Sequence, residues 1–138
     1  DAFCANSGAS SWASTAANGI IVFDDDSDND NFDTGSRFDT STYKYTARAD
    51  GVYFFWYAIY AADSDTTNSF GFLKNSTKVA MFHDTDNKFT SQYGNNDDHT
   101  QNGSIIIPLS ANDTIAVIAT EQSDYYRGHS SFGGCRLA

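Results

Sequence analysis

The run Gly51-Val52-Tyr53-Phe54-Phe55-Trp56-Tyr57-Ala58-Ile59-Tyr60 decides how the rest of the chain is read. Successive side chains of a strand point to opposite faces. Val52, Phe54, Trp56, Ala58 and Tyr60 therefore share one face, and Tyr53, Phe55, Tyr57 and Ile59 share the other. Both faces are apolar. A two-sheet sandwich buries only one face of each sheet, so the second apolar face needs another subunit or cover from the chain's own loops.

Outward from this run the same chemistry recurs in shorter pieces. One proline, one glutamate and few Lys- or Ala-rich stretches leave little helix-forming sequence, while Tyr, Phe, Thr, Ile and Val come in short runs. Expected strands are Ala2 to Asn6, Gly19 to Phe23, Thr42 to Ala47, Gly51 to Ala61, Ser69 to Lys74, Lys78 to His83, Gly103 to Leu109, Thr114 to Thr120 and Ser131 to Leu137. Clusters of Asp, Asn, Gly and Ser separate most of them. Such a pattern predicts an all-β fold, a two-sheet sandwich or jelly roll, with residues 1–138 as one domain.

Seventeen Asp and one Glu against four Lys and four Arg give a net charge of -10. No face can neutralise a run of phosphates, which excludes nucleic acid as a main partner. The same charge opposes docking on an anionic membrane, and the longest apolar run, Gly51 to Ala62, is too short to span one. Two cysteines, Cys4 and Cys135, suggest one end-to-end disulfide and an oxidising, extracellular compartment. The sequons at Asn75, Asn102 and Asn112 agree with secretion. A start at Asp1 without a signal-like segment is expected of a processed chain.

The order of motifs resembles the globular-head domain of complement C1q and its relatives, which share a jelly roll with the tumour necrosis factor family. Ala2-Phe3 resembles the family's first strand, Ile20-Ile21-Val22-Phe23 its second, and Arg37-Phe38-Asp39 with Tyr43-Lys44-Tyr45-Thr46 its Tyr-Asp, Gly-Lys-Phe-Thr passage. Gly51 to Phe55 resembles its most recognisable strand and Lys74-Asn75 its Lys-Asn-Gly turn. Gly103 to Leu109 with Asn112-Asp113-Thr114-Ile115, then Ser131 to Leu137, resemble its closing blocks. Tyr43 and Asn112 stand where the family has glycine. The resemblance implies a homotrimer and a non-catalytic recognition module, and it makes the strands carrying Cys4 and Cys135 neighbours.

Three constellations are candidate sites. The acidic run from Asp24 to Asp30 fails the EF-hand pattern, because Asn29 falls at the glycine position and Gly35 at the closing glutamate. Asp84, Asp86, Asp97 and Asp98 supply oxygen donors of the kind Ca²⁺ takes, and the resemblance places calcium ligands among them near a trimer axis; Asp and Asn also simply favour turns. Tyr125, Tyr126, Arg127 and His129, expected in a loop before the last strand, combine flat apolar rings with polar groups suited to sugars or other microbial surface ligands. Alternatively the tyrosines pack and Arg127 pairs with Asp124. No nucleophile elbow, phosphate loop or zinc spacing promotes an enzyme. The expectation is a secreted trimeric lectin-like module, with an acidic calcium-binding matrix protein as the alternative.

Overall fold

The computed structural model describes residues 1–26, 31–61, 69–83 and 99–138. Among these the strands are β1 (Ala2–Asn6), β2 (Trp12–Thr15), β3 (Phe32–Asp33), β4 (Phe38–Asp39), β5 (Lys44–Thr46), β6 (Gly51–Ala61), β7 (Ser69–Lys74), β8 (Thr77–His83), β9 (His99–Leu109), β10 (Thr114–Ala119) and β11 (Ser123–Arg136). No helix occurs among the described residues. One sheet runs β3-β1-β11-β6-β9 with β2 also paired to β11, and the other runs β4-β5-β10-β7-β8. All pairings are antiparallel.

The alternation in β6 holds: Tyr53, Phe55, Tyr57 and Ile59 are buried to within 1% of complete. They meet Phe70, Phe72, Ile115 and Val117 of the facing sheet in one core. Phe3 is the centre of an aromatic cluster, stacked on Phe38 and Tyr45 at 5.0 Å and meeting the edge of Phe132 at 4.9 Å. Such clustering joins both sheets through the first and last strands, and truncating Phe132 to alanine costs about 3–5 kcal/mol by the usual scale for buried aromatics. Glycine at position 133 serves the other face: a Cβ there would come within 2.7 Å of the Trp56 indole, which lies across it.

Two family glycine positions explain themselves in the backbone. Tyr43 has φ of 60° and Asn112 of 71°, the left-handed region that glycine enters without a steric penalty. At the second, the turn is secured by Asp113, whose carboxylate accepts from Asn75 Nδ2 and the Ser110 N–H, each at 2.9 Å, and lies 3.0 Å from Lys74 Nζ. These bonds, the Asn75 one foremost, hold the Asp113 carboxyl down at about 2.

Differences from the sequence expectation concentrate in short or polar strands. The segment expected as a strand over Gly19 to Phe23 makes only a bridge from Ile20 to Ile118, although Ile21 and Phe23 are fully buried. β2, β3 and β4 were not expected, and β9 and β11 begin earlier than Gly103 and Ser131. β1 and β11 are neighbours, but Cys4 faces Gly133 while Cys135 faces Ala2. Both residues are thiols in the structure. The expected disulfide is therefore absent from the structure, and the register sets the two residues diagonally rather than directly opposite.

Candidate aromatic binding site

Chain direction gives the first sheet two ends. Gly51 pairs with Leu109, and the Ala138 N–H donates to the Val52 carbonyl at 3.3 Å, so both termini lie at one end. β6 then climbs its eleven residues, roughly 35 Å, to Ala61, which pairs with His99 and with Tyr125 at the other end. Tyr125, Tyr126, Arg127 and His129 all stand at this far end, inside β11 rather than in a loop.

β11 carries a bulge here. Tyr126 faces Tyr60 and Ser131 faces Ala58, so Arg127 to Ser130 leave the register. The Ser130 hydroxyl replaces the missing pairing: it accepts from the Tyr60 N–H at 3.1 Å and donates to the Tyr126 carbonyl at 2.8 Å. Bulging brings the His129 ring 4.7 Å from Tyr126 and 5.5 Å from Tyr60. β2 adds Trp12, which meets Tyr126 edge-on at 5.4 Å and lies 6.0 Å from Tyr60. Trp12 is 47% exposed, more open than Tyr60 or Tyr126, and sequence reasoning missed it because β2 is only Trp-Ala-Ser-Thr.

Two expected roles change. Tyr125 faces inward, is fully buried and accepts the Val22 N–H at 3.1 Å, so it is a core residue and no ligand contact. Arg127 reaches across to Asp24 rather than Asp124, with Nη2 2.7 Å from the carboxylate. Asp24 also accepts from the Ser7 hydroxyl and the Gly8 N–H. Partial burial by itself pushes the Asp24 carboxyl up, but those two bonds and Arg127 together outweigh it and hold the group below its ordinary value. With Nη2 on Asp24, the guanidinium's charge is partly answered before any anionic ligand arrives. Beside the rings lies a cleft of about 420 Å³ lined by Trp12, Ala13, Ser14 and Asp124.

Asp84, Asp86, Asp97 and Asp98 lie outside the described residues. Among the described residues no group of three His, Cys, Asp or Glu side chains could hold a metal ion.

The outer face of the first sheet has two apolar territories. Toward the termini, Phe32, Val52 and Ile106 are exposed beside Phe54 and Trp56; toward the far end stand Trp12, Tyr60, Tyr126 and His129. Between them the register aligns Asn6, Ser131, Ala58 and Asn102 in a row of small and polar side chains.

A two-sheet antiparallel jelly roll of this topology is the fold of C1q and TNF domains. The C1q domain family matches residues 2–135, and the chain belongs to that family. In structure it is similar to the globular domain of zebrafish complement 1qA, with a TM-score of 0.69 and 17% identity over 99% of this chain and 97% of that one. It is also similar to Eiger TNF from S. frugiperda, with a TM-score of 0.72 and 14% identity over 99% of this chain and 92% of that one, and to rabbit GITRL, with a TM-score of 0.51 and 17% identity over 70% and 73%. No curated protein sequence matches the chain. C1q and TNF domains form trimers, are generally not enzymes, and in C1q-domain proteins are typically extracellular. No helix among the described residues is long and apolar enough to cross a membrane.

Proposed function

We propose that this chain is a secreted, non-catalytic capture module that assembles as a homotrimer through the apolar territory nearer its termini and binds glycans through the aromatic cluster at the far end. The division of the outer sheet face carries the reading. A single continuous interface would not be interrupted by Asn6, Ser131, Ala58 and Asn102. The exposed Trp12 ring, with Tyr60 tilted beside it and Tyr126 edge-on to both, supplies the flat surface that the C–H side of a sugar takes, while His129 and Asp124 supply polar groups for hydroxyls. Three weak sites on one rigid body raise apparent affinity for a repetitive microbial surface by avidity. Asp84, Asp86, Asp97 and Asp98 remain the proposed Ca²⁺ ligands, on their chemistry alone.

Trp12→Ala and Tyr126→Ala test the site directly. Both variants lose glycan binding and still sediment as the wild-type trimer; binding unchanged in both would overturn the assignment.

A further inference from the structure

The cleft beside the aromatic cluster has a charge preference that the glycan reading does not require. Asp124 pairs with Ser14, and Tyr126 with Trp12, so Asp124 and Trp12 stand diagonally on the same outward face of neighbouring strands. Side chains in that relation are within joint reach of one small ligand. The cleft of about 420 Å³ that they line falls in the range of small-molecule sites, about 300–1,000 Å³. Trp12 offers the strongest cation-attracting ring among the side chains, and Asp124 offers a full negative charge beside it. Among the described residues no salt bridge engages Asp124. The nearby cation that would favour an anionic ligand is withdrawn: Arg127 is held by Asp24 at 2.7 Å, and its Nε is buried. The chain's net charge of -10 adds long-range attraction for cations and repels anions.

We infer that the Trp12–Asp124 cleft is a subsite for a protonated amine on a saturated ring, the chemistry of an unacetylated amino sugar, with the ring against the indole and the ammonium on the carboxylate. The inference rests on the glycan reading and deepens it. A sugar's apolar face satisfies Trp12 whatever its charge, but only a free amine forms both the ion pair with Asp124 and the cation–π contact. Acetylating that amine keeps the ring and removes both interactions.

The test compares short glucosamine oligomers with the same oligomers N-acetylated, by calorimetry on the wild-type protein and on Trp12→Ala, Asp124→Asn and Asp1→Asn. Asp1 lies at the opposite end, so its variant makes the same change in net charge away from the cleft. The expected result is about tenfold tighter binding of the free-amine oligomer. Asp124→Asn narrows the difference to the remainder left by the Trp12 cation–π contact, Trp12→Ala weakens both, and Asp1→Asn preserves the difference. Equal affinity of the two oligomers, with both weakened by Trp12→Ala, overturns the amine subsite and leaves the glycan site standing. An amine preference that falls equally in Asp1→Asn and Asp124→Asn is bulk charge attraction and also overturns it. No binding of either oligomer overturns the subsite, and other glycans binding without dependence on Trp12 or Tyr126 would overturn the site itself.

Discussion

Single residues settle more here than composition does. Tyr125 and Tyr126 are adjacent and chemically identical, yet the strand's alternation sends one into the core and the other to the surface. A loop reading could not separate them, because it has no faces. Asn112 shows the backbone version of the same point. With φ of 71° it holds a conformation that a Cβ disfavours, and asparagine tolerates it better than most residues. Asn112→Ala should therefore lose about 1–2 kcal/mol in denaturant unfolding, while Asn112→Gly should match or exceed the wild type. A stable alanine variant would contradict the strain argument. Buried tyrosines set the alkaline limit. Burial, then the neighbouring Tyr53 and Asp33 charges, push the Tyr45 hydroxyl up to about 12, and burial pushes Tyr57 up as well. A folded value above the ordinary tyrosine value of about 10 means that stability is complete below about pH 10 and is lost as pH rises toward 12. Ultraviolet titration should show these tyrosines ionising together with loss of the far-ultraviolet sheet signal. Ionisation near pH 10 with the sheet intact would contradict their burial.

At the scale of elements, strands with long apolar alternation were legible and those without it were not. β1, β6 and β7 fall where the sequence places them, because each alternates apolar side chains into the core: Phe3 and Ala5 from β1, Tyr53 to Ala61 from β6, and Phe70 and Phe72 from β7. β2 to β4 are two to four residues long, and their existence depends on partners distant in sequence, which periodicity does not register. The early part of β11 was hidden by its bulge, since residues that leave the register also break the alternation. Half of the candidate site was visible as Tyr126 and His129. Trp12 was not, because only the β2–β11 pairing brings it there. Ser130 is the hinge pin of this element. Ser130→Ala leaves the part-buried Tyr60 N–H and Tyr126 carbonyl without their bridge and should cost about 1 kcal/mol, with weakened glycan binding as His129 and Tyr126 separate. Full stability and full binding in that variant would show that the bulge holds without the hydroxyl.

For the whole molecule, the two-sided apolar strand remains the organising fact. Its inner face closes the sandwich, and its outer face presents Phe54 and Trp56 beside Ile106, which is 65% exposed. An exposed isoleucine facing Phe54 at the sheet edge is a poor surface for a solitary domain and a good one for a second copy. Ile106→Asp should shift sedimentation from trimer to monomer while the far-ultraviolet signal stays unchanged, and a trimer in that variant would move the interface elsewhere. Loss of the trimer should also lower apparent affinity on a multivalent surface far more than affinity for a soluble monosaccharide, because the first includes avidity and the second does not.

Recognition by the far end of the jelly roll is the central claim, and a glycan array run with calcium and again with chelator tests it most directly. The account predicts selective binding in the presence of calcium, reduced by chelator to the extent that Asp84, Asp86, Asp97 and Asp98 hold the ion. A blank array in both conditions would contradict it, and several calcium ions bound per subunit without any selective glycan would point to an acidic matrix protein instead.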